Sequence, residues 1–152
     1  MFLDILVAVD GSASSWEALD HGIELARVGN AKLTLITVAP PVSGYVTLAG
    51  LSNEKMRTQL DRWAEELLSK AVERVPEDVI AHTVQKAGEA GPEIVKELDR
   101  GTYDLIILGS RGRGRAQEGL LGSVTAYVHH HSRVPLLSVP SGGSAGQSDQ
   151  GA

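Results

Sequence analysis

The chain has 152 residues, 42% hydrophobic and 22% charged, the length and balance of one globular domain rather than a disordered, collagen-like or coiled-coil chain. Its net charge of −5 lacks the overall basic footprint of a general nucleic-acid binder. It has no cysteine, which excludes disulfides, thiolate metal sites, cysteine nucleophiles and iron–sulfur clusters.

Ile5-Leu6-Val7-Ala8-Val9 is a short continuous apolar run closed by Asp10-Gly11-Ser12, as expected of a strand buried on both faces. It follows Asp4 without a basic flank, so it reads as neither a signal segment nor a membrane span, and a soluble cytoplasmic protein is expected. Ser14 and Glu17 stand at capping-box spacing. Trp16, Leu19, Ile23 and Ala26 follow at helical intervals, and Gly29-Asn30 supplies a left-handed stop. Lys32 to Val38 reads as the second strand, and residues 40–52, with Pro40, Pro41, Gly44 and Gly50, as a loop. The second helix spans about Asn53 to Val75, with Met56, Leu60, Trp63, Leu67 and Ala71 on one stripe and Pro76 ending it.

Val79 to Gln85 alternates as a third strand. Pro92 suits a first helical position, Ile94, Val95 and Leu98 form the helix's apolar face, and Gly101 ends it. Asp104 leads into the strand Leu105–Leu108, a Gly- and Arg-rich loop, and a helix from Ser123 to His131. Pro135 to Val139 is the fifth strand. The pattern predicts a single doubly wound α/β domain over residues 1–140, its parallel sheet in the order 3-2-1-4-5 with helices on both faces. Residues 141–152, rich in Ser, Gly, Gln and Asp, read as a disordered tail.

Ligands of such sheets bind beyond the carboxyl ends of the strands where the winding reverses. Here that point lies between strands one and four, followed by Asp10-Gly11-Ser12 and Gly109-Ser110-Arg111-Gly112. Residues 109–115 hold three arginines and no acid, and Gly122-Ser123 opens the next helix. Exposed backbone amides at a helix start beside local positive charge suit a phosphate. Solvated arginines on a surface turn are the plainer reading, but the strand before, the helix after and the switch-point position favour phosphate.

Known phosphate and nucleophile motifs fail in detail. Gly109 and Gly114 have Walker A spacing, but Arg115-Ala116 replaces its lysine and hydroxyl. Gly112-x-Gly114 ends in Gln117 and follows the wrong strand for a dinucleotide fingerprint. A receiver domain would need paired acids after strand one, where only Asp10 stands, and Gly122-Ser123 is not a nucleophile elbow. Successive helical residues point about 100° apart, so His129, His130 and His131 cannot share a face for a metal, and they suit a helix C-terminus instead. Trp16 and Trp63 read as core residues.

The spacing Gly109-x2-Gly112-x9-Gly122-Ser123 does fit a known pattern. Together with Val9-Asp10-Gly11-Ser12, Asp104-Leu105-Ile106-Ile107-Leu108-Gly109 and Val134-Pro135-Leu136-Leu137-Ser138-Val139, it resembles the ATP-binding branch of the universal stress protein family over nearly all of Ile5 to Val139. The resemblance implies a flavodoxin-like fold, bound ATP, a homodimer and a role in stress survival. By position it implies Asp10 at the ribose and adenine end and Val9 and Val38 along the adenine. Gly109, Arg111, Gly112, Gly122, Ser123, Val124 and Thr125 would surround ribose and phosphates, with Mg²⁺ or Mn²⁺ bound mainly through the phosphates. The Arg-Gly-Arg-Gly-Arg run at 111–115 departs from the family's varied loop and leaves open which arginine meets phosphate. Leu136, Leu137 and Val139 form an apolar edge strand, a type that tends to be paired, and the resemblance points to the same strand as the dimer contact.

Two functions of different class follow. One is a nucleotide-binding regulatory module with slow or no hydrolysis. The alternative is a phosphoryl-transfer enzyme, a slow ATPase or self-phosphorylating protein. No paired-carboxylate metal site and no base other than Asp10 stands near the loop, which favours binding. A non-nucleotide interaction protein of the same fold is a third reading, against which the intact 109–123 spacing argues.

Overall fold

A computed structural model describes residues 1–42, 52–110 and 122–142. In chain order the elements are β1 (Asp4–Ala8), α1 (Ala13–Gly29), β2 (Lys32–Ala39), α2 (Asn53–Arg74), β3 (Ala81–Ala87), α3 (Ala90–Arg100), β4 (Leu105–Gly109), α4 (Ser123–His131) and β5 (Leu136–Val139). The strands form one parallel sheet in the order β3-β2-β1-β4-β5, as the sequence predicts. Ile5 lies between Leu33 and Leu105, and Val7 between Leu35 and Ile107.

Alternation along β1 explains the continuous apolar run. Ile5, Leu6 and Val7 are all fully buried, yet they serve opposite faces. Ile5, Val7 and Val9 pack with Leu19 and Ile23 of α1 and with Leu67 and Ala71 of α2. Leu6 joins Ile36, Ile106 and Leu108 against Ile94 and Leu98 of α3 and Val128 of α4. Both faces of a parallel sheet need such cover. Trp16 and Trp63 lie half-buried against the first of these layers. Among the described residues no helix is long and apolar enough to cross a membrane.

Three local details differ from the sequence expectation, and the left-handed stop expected at Gly29-Asn30 is resolved to one residue. The N-cap of α1 is Ser12, whose hydroxyl accepts the Ser15 amide at 3.3 Å; Ser14 is instead buried inside the first turn. The left-handed stop falls on Asn30, at φ 51°, a conformation asparagine tolerates. The turn in which the Val79 amide reaches the Pro76 carbonyl at 3.1 Å delays β3 to Ala81. Pro92 is the third helical residue, still ahead of the first intrahelical bond, Glu93 N to Glu89 O at 3.0 Å, so its missing N–H costs nothing there.

One buried charge stands out. Glu97 of α3 is 3% exposed. Its carboxylate accepts the Tyr103 hydroxyl at 2.8 Å and Arg100 at 3.1 Å, with Lys86 Nζ at 3.7 Å. Burial first, and then the bond to Glu97, push the Tyr103 hydroxyl from 10.0 up to about 12. The fold therefore holds the neutral phenol. Its contribution to stability is complete below pH 10 and is lost as the pH rises from 10 towards 12, because the unfolded chain gives up the proton first. Alkaline unfolding followed by circular dichroism should be steeper in that window for the parent than for Tyr103→Phe, and tyrosinate absorbance should show one tyrosine of the parent titrating late.

Candidate functional site

The carboxyl ends of β1 and β4 lie side by side, and the chain leaves them in opposite directions around the sheet. After β1, the Val9 amide still bonds to the Ile36 carbonyl at 2.9 Å. The buried Thr37 hydroxyl donates to the Val9 carbonyl at 2.8 Å. Val9 itself is 2% exposed, so its side chain belongs to the core. Beyond it, Asp10 Oδ1 accepts the Ser12 amide at 2.9 Å, closing an Asx turn. Gly11 stands at φ 85° within that turn, a region glycine enters without steric cost. The Ser15 hydroxyl donates to the Ser12 carbonyl at 2.9 Å and accepts the Asp10 amide at 3.3 Å. Asp10 is thus held by its backbone and one oxygen; among the described residues the other oxygen has no hydrogen bond.

At the end of β4, Gly109 lies against the first turn of α1. A Cβ there would fall 2.8 Å from the Ser14 backbone carbon, so the missing side chain is what lets strand and helix touch. The Gly109 carbonyl accepts the hydroxyl of Thr125, which is 2% exposed, at 3.0 Å. The Ser110 amide donates to the Val139 carbonyl, and the Gly122 amide to the Ser110 carbonyl, each at 2.7 Å. These bonds place the start of α4 directly beyond β4.

Gly122 is the N-cap of α4 and makes no side-chain cap bond. Its carbonyl takes the Ala126 amide at 3.0 Å, the first bond of the helix. The amides of Ser123, Val124 and Thr125 therefore precede the intrahelical ladder and carry the positive end of the helix dipole. Ser123 is exposed and Val124 half-buried. Val38, at the end of β2, is also half-buried.

Of the residues expected at the site, the structure brings Asp10, Gly109, Gly122, Ser123, Val124 and Thr125 to one end of the sheet, with Val9 and Val38 at the ends of neighbouring strands. Arg111 and Gly112 lie outside the described residues. The Thr125 hydroxyl is engaged with Gly109 inside the fold. Sequence reasoning placed Ser12 and Ser110 at this point without a role and missed Ser15 and Thr37, all four of which hold this end of the sheet together; the signal available for Ser15 was the Ser12-Ala13-Ser14-Ser15 run directly after the strand. At the other end of α4, the His131 ring stacks on Tyr127, with centroids 3.9 Å apart, and its Nδ1 meets the Tyr127 carbonyl at 2.8 Å. Among the described residues no three His, Cys, Asp or Glu side chains come together to hold a metal.

Comparison with known proteins shows the family and the fold. The model of the Universal stress protein family matches residues 1–140. Universal stress protein YxiE of Bacillus subtilis is 32% identical over 147 residues, covering 91% of this chain and 99% of that protein. Among solved structures, the hypothetical protein MJ0577 superimposes with a TM-score of 0.80 at 25% identity, over 92% of this chain and 96% of its own. A universal stress protein in complex with cAMP gives 0.60 at 26% identity, over 92% and 98%. An Arabidopsis thaliana family member with AMP bound gives 0.67 at 22% identity, over 97% of each chain, a likeness of fold.

Proposed function

The chain belongs to the universal stress protein family, and from that premise we propose that it binds ATP between the carboxyl ends of β1 and β4 and acts as a nucleotide-dependent regulatory or stress-survival module. The observation that carries the reading is the start of α4. Ser123, Val124 and Thr125 offer amides ahead of the helical ladder, and Gly122 brings no side chain to cap them. Such a terminus takes phosphate oxygens without further machinery. Facing it across the strand ends, Asp10 is held with one oxygen engaged, leaving the other to accept a ribose hydroxyl. Val38 offers apolar surface to a base. Arg111 and Gly112 would complete the phosphate side, Arg111 by charge and Gly112 by close backbone approach. The relatives holding cAMP and AMP support an adenine nucleotide as the ligand class.

Mg²⁺ or Mn²⁺ would ride on the phosphates, since the described residues supply no cluster of their own for it. The cation would neutralise phosphate charge, while the chain's own part is to bind and orient the nucleotide. Hydrolysis should be slow or absent: the sequence lacks the Walker lysine and hydroxyl, and among the described residues no carboxylate cluster stands ready for a metal. Calorimetric titration with ATP, ADP, AMP, cAMP and GTP tests the proposal directly. Micromolar ATP binding, roughly −8 kcal/mol, is the expected result, with GTP weaker. Binding of none of the five would overturn the reading.

We also propose a homodimer through β5. This edge strand leaves Leu137 38% exposed and Leu136 half-buried, whereas Val139, at 3%, already belongs to the core. An apolar edge with free backbone groups on one side pairs readily. Light scattering at tens of micromolar should give a dimer for the parent and a monomer for Leu137→Asp; a monomeric parent, or an unchanged variant, would remove the dimer.

A further inference from the structure

The first turns of α1 carry a contact that nucleotide binding leaves unexplained. Glu17 Oε1 accepts the backbone amide of Gly142 at 2.7 Å, across 125 residues of chain. Ser14 and Glu17 are three residues apart and so share a helix face. Ser14 packs on Gly109 at the end of β4. Glu17 holds the chain three residues past the end of β5, with Pro140, whose ring fixes φ, in between. From β5 the connection runs inward: Ser110 donates to the Val139 carbonyl and Gly122 to the Ser110 carbonyl. Gly142, Val139, Ser110 and Gly122 are thereby linked by backbone bonds and short chain to the N-terminus of α4.

We propose that Glu17 is a positioning residue for the nucleotide site. By latching the exit of β5 onto α1, it fixes the Val139 carbonyl, through that the Ser110 peptide, and through that the Gly122 end of α4. The inference rests on the reading of α4's N-terminus as the phosphate site. A carboxylate suits the task, because a hydrogen bond to an ionised acceptor is roughly twice as strong as a neutral one. The latch also makes Ser141 and Gly142, which lie outside the sheet, part of the binding apparatus.

Three variants of the full chain test this. Gly142→Pro removes the donor and adds a Cβ that would fall 2.7 Å from Glu17 Oε1, turning the carboxylate away; it lies outside every helix and strand. Glu17→Ala removes the acceptor, and Glu17→Gln keeps an acceptor oxygen. Glu17→Ala and Gly142→Pro should each weaken ATP binding by about three- to tenfold, the range one hydrogen bond spans, with the fold retained and the melting temperature lowered by a few degrees at most. Glu17→Gln should restore most of the affinity. The double variant should be no weaker than either single one, as expected of two halves of one contact. Hydrogen exchange without nucleotide should show the Ser110 and Gly122 amides less protected in both disrupted variants. That measurement needs no ligand, so it decides the latch even if the parent binds no nucleotide, which would defeat the phosphate reading instead. Unchanged protection at both amides would overturn the latch. So would parental ATP affinity in Gly142→Pro, or a loss in Glu17→Ala that Gly142→Pro does not share.

Discussion

Gly122→Val should abolish ATP binding and leave the fold intact. The N-cap stands at φ −57° and ψ 151°, a region open to any L-residue. Valine therefore meets no backbone strain, and the Gly122 amide and carbonyl keep their bonds to Ser110 and Ala126. What changes is the space in front of the Ser123, Val124 and Thr125 amides, which a branched side chain would fill. An amide that cannot approach a phosphate oxygen to hydrogen-bond distance contributes nothing, and several are blocked together. A loss of at least about a hundredfold is expected, close to 2.8 kcal/mol at the usual conversion. Calorimetric titration of parent and variant, with circular dichroism melts of each, checks both halves. A variant that binds ATP as tightly as the parent would remove the phosphate assignment from the start of α4.

The outline of this site was legible because its determinants are local. The run Ile5–Val9 predicts a strand covered on both faces, and the ends of strands one and four are marked by Asp10-Gly11 and Gly109-Ser110, so Asp10 and Gly109 could be placed at one end before any contact was known. Gly122-Ser123 could be placed at a helix start for the same reason. What escaped is what only packing decides. Ser12, Ser14 and Ser15 are all plausible caps in sequence; the cap falls on Ser12 because Ser14 is buried against Gly109. The Thr125 hydroxyl reads as a ligand group by spacing, yet burial turns it to the Gly109 carbonyl. Arg100 lies three residues from Glu97 and could have been paired with it, but Lys86 and Tyr103 reach that carboxylate only through the assembly of β3 and the start of β4 around α3. Glu17 shows the same limit: its spacing from Ser14 suggests a capping box, while its partner is 125 residues away.

Gly109→Ala should cost stability where Gly122→Val does not. A Cβ at position 109 would lie 2.8 Å from the Ser14 backbone carbon and 2.9 Å from its Cβ. A rotamer change cannot relieve contact with backbone, so α1 or β4 must shift. Overpacking of this kind costs about 1–3 kcal/mol. A shift of β4 also strains the bond from Thr125 to the Gly109 carbonyl and the bond from Ser110 to Val139, each with a net worth of about 0.5–1.5 kcal/mol. A total of about 2–6 kcal/mol, the upper end if both bonds are lost, corresponds to a fall in melting temperature of roughly 4–24 °C for a domain of this size. Thermal and urea unfolding of the parent and both glycine variants would show it. Binding should weaken as well, since moving the first turn of α1 displaces the Asp10–Ser12 turn that it holds. The two glycines are thereby separable: one is small because a helix touches it, the other because a ligand must. A Gly109→Ala protein that melts with the parent would show that strand and helix have room to spare, and the order of these two roles would have to be exchanged.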